Sequence, residues 1–501
     1  MSDVTPQQNN MKHEPQHDLP SPFARIGDVV NDHPYFTADG GIIHIARSPG
    51  RLDVMGGIAD YTGSRVCQMP LRIEAAAAAQ KRSDGKVICM SLQAMDQGEL
   101  VLHASELQSL TPLALRQRIG SEHAWAGYVA GALAWLMKHQ ADIGNDIMQS
   151  GATLLIDSDV PAGGGVSSSA AIELATMFAL TSLYDISLWP MQIAAACQNV
   201  ENQVVGAPCG VMDQVVSCMG KRDSILQIIC QPDANAMPAQ VEGQLEIPRG
   251  YAFVGIHSGV RHEVRGDPYG DTRVAAFMAR KIIRSVSTAH ENLEHMAQLP
   301  LSIYEAQLRD QLPVTMMGQA FIDTFESTGD HATTIVPDRD YFVRDAADHH
   351  IREMHRVTEF ASLLNQLGKR ANIQTQATPE TIAQLGGLMN QSHHSYSRYA
   401  RLGHPLTDQL ASLLNEAGQS AGIFGSRITG GGCGGTLAVL IHDTPETAQA
   451  IEQIRQRYET MTGRQTTLFT GTSDGGFHTP IKHHSKKSAA IKNNTGKGKP
   501  S

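Results

Sequence analysis

At 501 residues the chain exceeds one average core, and at about 150 residues per domain it holds roughly three domains or two large ones. Ordinary composition (41% hydrophobic, 18% charged), a net charge of −10 and no run near the roughly 20 apolar residues of a membrane span argue against nucleic-acid and membrane roles for the body. Seven scattered cysteines without a Cys-x-x-Cys pair, and a polar start lacking the apolar core of a secretion signal, leave one expectation: a cytoplasmic protein with reduced thiols that handles small molecules.

Residues 1–22 are rich in Gln, Asn, His and Pro and read as a disordered tail, with order beginning near Phe23. Gly41 to Ala46 alternates like a strand and runs into a first motif, Ser48-Pro49-Gly50-Arg51-Leu52-Asp53-Val54-Met55-Gly56-Gly57-Ile58-Ala59-Asp60-Tyr61. Further strand pattern follows at 66–70 and 87–92, and Trp125 to His139 reads as an amphipathic helix.

The apolar run Ala152 to Ile156 leads into a second motif, Asp159-Val160-Pro161-Ala162-Gly163-Gly164-Gly165-Val166-Ser167-Ser168-Ser169, and an apolar-periodic helix over 171–183 comes after it. That order is strand, glycine loop, helix. The glycines let backbone N–H groups approach a ligand, and a helix start leaves its first donors unpaired, so the loop suits phosphate. It is not a Walker A loop, because no Gly-Lys-Ser/Thr ends it. For such a loop in isolation, a tight turn capped by serine is an equal alternative.

Trp189 to Val205 is helical in pattern, with Glu201 on its apolar face. A lone buried carboxylate needs a partner, so taken alone Glu201 is better read as a solvated edge position. The third motif, Gly206-Ala207-Pro208-Cys209-Gly210-Val211-Met212-Asp213-Gln214, breaks that helix and starts another, where Asp213 can be a helix-dipole partner or cap. Residues 240–250 look like a domain junction. A strand at Tyr251 to His257 precedes a basic loop with His262, Arg265 and Tyr269, then a helix over 271–294. Helices dominate 300–325 and 345–420, apart from a loop near 328–340. The fourth motif, Gly425-Ser426-Arg427-Ile428-Thr429-Gly430-Gly431-Gly432-Cys433-Gly434-Gly435-Thr436, brings backbone close to a ligand or to another loop before a strand at 437–441. The Lys-rich end from 482 reads as a solvated, disordered tail.

These four motifs, in this order, resemble those of galactokinase-type members of the GHMP kinase superfamily. The first is similar to the signature Pro-Gly-Arg-Val-Asn-Leu-Ile-Gly-Glu-His-Thr-Asp-Tyr, the second to the superfamily's phosphate loop, and the third is near-identical to the galactokinase form. The resemblance implies an α+β fold of two lobes, 23–245 and 246–480, with the active site in the cleft between them and tails at 1–22 and 481–501. It implies ATP and Mg2+ as cofactors and the sugar and ATP as small-molecule partners. Gly163, Gly164, Gly165, Val166, Ser167, Ser168 and Ser169 would bind the nucleotide, and Ser169 and Glu201 would hold the metal, a hard ion that prefers oxygen. Asp213 matches the proton acceptor and Arg51 the arginine that stabilises developing charge. Asp60, Gly210 and Tyr269 match positions that contact the sugar.

The departures point to a closer resemblance. Gly57 and Ile58 stand where galactokinases carry Glu-His. The whole first motif is similar instead to the kinase part of plant L-arabinokinases, as are Gly259-Val260-Arg261-His262, Ala276-Phe277-Met278-Ala279-Arg280-Lys281 and Gly386-Gly387-Leu388. The plant enzymes carry an upstream glycosyltransferase-like region without a counterpart here, so activity is expected from the kinase part alone. L-Arabinopyranose has the hydroxyl pattern of D-galactopyranose but lacks the exocyclic hydroxymethyl. Burying a galactose O6 without a partner beside Gly57 and Ile58 would cost roughly 1–3 kcal/mol, about ten- to a hundredfold, unless water still reaches it. The expectation is an L-arabinose 1-kinase. The alternatives are a galactokinase, a kinase for another galacto-configured sugar such as fucose, or a catalytically silent sugar- and ATP-binding sensor.

Overall fold

The computed structural model describes residues 20–139, 146, 147, 149–261, 268–371 and 378–486. Most of both expected tails lies outside them, as do His262 and Arg265 of the basic loop. The expected strand at 41–46 continues through the first motif as β1 (Ile43–Met55), paired antiparallel with β2 (Arg65–Lys81). That pairing slips at a bulge between Pro49 and Arg51. Gly50 is needed there, since a Cβ would lie 2.8 Å from the Val166 carbonyl oxygen. Bulges re-aim side chains, and this one aims Arg51, which is only 2% exposed.

The sequence pattern signalled only the first part of β2. Its second part is Ala75 to Ala79, a run with little strand preference of its own. Both faces are nevertheless covered: Ala76 and Ala78 pack with Ile26 and Val30 of the helix Pro22–Asp32, and Ala77 and Ala79 join the cluster of Leu174 and Phe178 on the helix Ser168–Leu183. Small side chains let both helices close on the sheet. β3 (Lys86–Ser91), β4 (Leu100–His103), β5 (Ala152–Ser158), β6 (Ser224–Ile229) and β7 (Gln240–Glu246) extend this sheet; β5 and β6 both pair with β2. Residues 240–246, read as a junction, are thus strand. The chain leaves the first sheet at Glu246 and enters a second at β8 (Tyr251–His257).

A short ladder of β9 (Met316–Met317) and β10 (Asp340–Tyr341) sits within the helical stretch. β11 (Ile423–Ile428), β12 (Thr436–His442) and β13 (Thr467–Phe469) complete an antiparallel sheet in the order β11-β12-β8-β13. β14 (Lys482–His484) then returns to pair with β1, so the basic end begins as strand rather than as disordered tail. The helix expected over 271–294 runs over Pro268–Val286 instead. Ala126–His139 is buried on most faces rather than amphipathic, because its small residues admit close neighbours; a Cβ on Gly131 would lie 2.6 Å from Val200.

One hydrophobic cluster joins Leu52, Met69, Ile225 and Leu245 of the first sheet to Phe253, Leu440 and Phe469 of the second, with Phe360 and Leu364 of the helix Val343–Ala371 between them. This mixed α/β architecture therefore shares one core across both halves, with a cleft where they meet. Among the described residues no helix is long and apolar enough to cross a membrane.

Candidate active site

A cavity of about 710 Å³ opens between the two halves, and residues from all four motifs line it. From the first motif come Arg51, Ile58 and Asp60; from the second Gly163, Gly165, Ser167, Ser168 and Ser169; from the third Cys209, Gly210 and Asp213; from the fourth Gly430, Gly431, Gly432 and Gly435. Glu201 and Tyr269 also reach it. Three expected residues do not. Gly164 and Val166 are buried within the loop: the Gly164 carbonyl accepts from Thr436 Oγ1 at 2.7 Å, and the Val166 side chain joins the core while its carbonyl accepts from Arg51 N at 3.0 Å. Gly57 is buried behind Ile58, pressed on Tyr396.

The glycine loop and the glycine cluster abut. A Cβ on Gly430 would lie 3.0 Å from the Gly165 carbonyl oxygen, and one on Gly435 3.2 Å from that of Gly164. The glycine cluster therefore closely approaches the other loop, and Gly165, Gly430 and Gly435 also line the cavity. The loop ends at Ser167, which holds φ of +61° at the N-cap of Ser168–Leu183 but makes no side-chain cap. Its hydroxyl donates to Asp213 Oδ2 instead. The first N–H groups of that helix are thus left for another acceptor.

Asp213 sits in the first turn of the helix Met212–Met219, facing the bulge of β1. Arg51 grips it with two hydrogen bonds, Nε to Oδ1 at 2.8 Å and Nη2 to Oδ2 at 3.0 Å. A third, from Nη1 to the Gly165 carbonyl at 2.6 Å, ties the same guanidinium to the glycine loop. A carboxylate offers about four acceptor positions. Arg51 and Ser167 fill three on Asp213 and leave room for one more donor.

Glu201 is buried, not a solvated edge position, and starts the single wide turn Glu201–Val205 that ends its helix. Its partners come from elsewhere: Gln214 Nε2 at 2.6 Å, the Cys209 thiol at 3.3 Å and the Ser169 hydroxyl. Burial still pushes its carboxyl upward, with the negative charge of Asp213 adding to the shift. Gln214 also reaches Glu173, whose carboxyl is driven well up by burial and whose Oε1 has no hydrogen-bond partner among the described residues. Asp60 accepts from the Tyr61 N–H at 2.6 Å, and burial, then the charge of Asp213, raise it to about 7. Gly210 lets Asp60 approach closely, because a Cβ there would lie 1.7 Å from Asp60 Oδ2 and displace it. Burial, reinforced by Asp60, also raises the Tyr269 phenol.

Two family models match the chain, the GHMP kinases N terminal domain over residues 127–221 and the GHMP kinases C terminal domain over 371–460. This chain belongs to the GHMP kinases. An L-arabinokinase of Arabidopsis thaliana is 37% identical over 86% of this chain, which spans 46% of the relative's own length. A galactokinase of Chloroflexus aurantiacus is 28% identical, with 79% of this chain and 83% of the relative covered. The solved structure of Lactococcus lactis galactokinase complexed with galactose shares the fold: TM-score 0.67 at 20% identity, with 92% and 98% of the two chains covered.

Other residues of this GHMP kinase line the cavity without having been read from the sequence. Trp125 and Tyr128 contribute aromatic surface, and Ile172 and Met212 apolar surface. Trp125 directly precedes a helix of small residues, so its size was the available signal. Asp53 was legible only as part of a motif. It accepts from the Gly57 N–H, Gln68 Nε2, Arg427 Nη1 and the Gly430 N–H, and so clamps the first motif to the fourth.

Proposed function

We propose that this GHMP kinase is an ATP-dependent sugar 1-kinase that transfers the γ-phosphoryl group to the anomeric hydroxyl of L-arabinose, giving β-L-arabinose 1-phosphate. The observation that carries it is the Asp213 carboxylate, held by Arg51 and Ser167 on the wall of the cavity that the glycine loop also lines. The anomeric hydroxyl is more acidic than an ordinary alcohol, so a positioned carboxylate suffices as its base. The fourth acceptor position of Asp213 takes that hydroxyl. Gly163, Gly165 and the free helix start at Ser168 receive the phosphates. Arg51, tied to both Asp213 and Gly165, holds its charge beside the group in transfer.

Ser169 and Glu201 fit a hard cation, being two adjacent oxygen donors of which one is a buried carboxyl whose charge a cation would offset. Among the described residues no cluster of three His, Cys, Asp or Glu has metal-holding geometry, so phosphate oxygens would supply the other ligands of Mg2+. Bound there, Mg2+ neutralises phosphate charge. Asp60, Gly210 and Tyr269 hold the sugar, and Trp125 with Tyr128 give a nucleobase a stacking surface. The two lobes are 23–245 and 246–480. A cytoplasmic location goes with this role, and its support is that all seven cysteines are free.

For the acceptor, support comes from the Ile58 side chain on the cavity wall and from the L-arabinokinase relative. ATP consumption by purified protein with Mg2+, at equal concentrations of L-arabinose and D-galactose, tests it. The expected kcat/KM favours L-arabinose by about tenfold or more. Preference for galactose contradicts the acceptor, and ATP binding without sugar-dependent turnover contradicts the kinase.

A further inference from the structure

Tyr396 does not line the cavity itself, yet its hydroxyl joins two of the cavity's walls. It accepts from the Ile58 N–H at 2.7 Å and donates to the Gly430 carbonyl at 2.9 Å. Ile58 and Gly430 both line the cavity, one from the first motif and one from the fourth. The ring is wholly buried on the helix Pro379–Arg398, with the Arg427 guanidinium 5.1 Å from its centre and the His349 ring edge-on at 5.0 Å. It also occupies the space beside Gly57. A Cβ there would stand 1.8 Å from the phenol oxygen, 2.6 Å from Cζ and 2.8 Å from Cε2. Gly57 moreover holds φ of +52°, a conformation that side chains rarely adopt.

We infer that Tyr396 is the positioning residue that sets acceptor-sugar specificity: by filling the place of a Gly57 side chain and pinning the Ile58 main chain, it makes Ile58 a fixed apolar wall that suits a pentopyranose lacking an exocyclic hydroxymethyl. This rests on the sugar-kinase reading above. The physical logic is that a phenol oxygen already engaged with one donor and one acceptor has little left for a substrate hydroxyl. The wall in front of it is aliphatic, and its main chain is held in place because the Ile58 N–H is bound to that oxygen. An extra hydroxymethyl on the sugar would meet Ile58 without a hydrogen-bond partner. Removal of the phenol oxygen frees the Ile58 segment to move, and the cavity should then admit the larger sugar.

The test is kcat and KM for L-arabinose and D-galactose in the full chain and in Tyr396→Phe, with melting temperatures alongside. The near-isosteric variant is expected to fold, to raise the L-arabinose KM more than it lowers kcat, and to reduce the arabinose-to-galactose ratio of kcat/KM by about tenfold. A general loss of structure would lower both sugars together, so an unchanged ratio in Tyr396→Phe overturns the inference while leaving the kinase reading intact. Equal use of the two sugars by the unaltered protein overturns the acceptor reading and the inference with it. A size swap gives an independent arm: Gly57→Ala should lose sugar-induced thermal stabilisation, and adding Tyr396→Ala should recover part of it. A double variant no better than Gly57→Ala contradicts the steric interlock.

Discussion

Asp213 and Asp60 are carboxylates on one cavity wall with opposite surroundings. Asp213 has Arg51 and Ser167 as donors, whereas Asp60 is buried with a single backbone donor and is raised to about 7. Asp213→Asn keeps the shape and removes the proposed base, so sugar-dependent kcat should fall by about 10²–10⁴-fold with a smaller change in KM; steady-state kinetics would show it, and an active variant would contradict the role. Asp60 binds its proton more tightly in the folded than in the unfolded chain. The stability it contributes is present below the unfolded value of 3.8 and is lost as pH rises through about 7. The full swing is on the order of 4 kcal/mol. Asp60→Asn should therefore melt increasingly above the unaltered protein from pH 5 to pH 8, while binding sugar more weakly. A gap in melting temperature that does not change with pH would contradict the burial. At this scale residue types were legible and environments were not. Glu201 read as a solvated edge because Gln214, Cys209 and Ser169, which make its burial tolerable, lie on other elements.

Among the elements, the β1 bulge and the turn before Met212–Met219 carry the geometry. One aims Arg51 and the other presents Gly210 and Asp213. Gly210→Ala puts a methyl where Asp60 Oδ2 already sits, so Asp60 must move by about an ångström or more. A displacement of that size costs roughly a hundredfold in kcat/KM. Kinetics with a melting curve would check it, since the change is local and the fold should persist. The strand–loop–helix order around Gly163 to Ser169 was readable because glycines and an apolar period mark it. The alanine half of β2 was not, because burial between β1, β5 and two helices decides its conformation against weak local preference. Serine capping was a reasonable expectation at Ser167, and a partner from a distant helix took that hydroxyl instead.

For the whole molecule, a cleft between two sheets stays in register only if something spans it. Asp53 and Arg427, both wholly buried, do so at 2.9 Å, with Arg427 Nε also on Ser392 Oγ at 3.0 Å. Asp53→Ala strands a buried guanidinium and should cost about 3–5 kcal/mol, measurable by urea unfolding; a loss under about 1 kcal/mol, the range of an exposed pair, would contradict the clamp. Motif order made the fold class and the cleft legible through resemblance. The shared core and this clamp were not, since the residues that meet come from opposite ends of the chain. The central claim is phosphoryl transfer to an anomeric oxygen, and phosphorus NMR of the product from ATP and L-arabinose tests it most directly. The predicted result is a new sugar-phosphate signal coupled to the anomeric proton. Phosphate on any other hydroxyl, or release of inorganic phosphate alone, would contradict it.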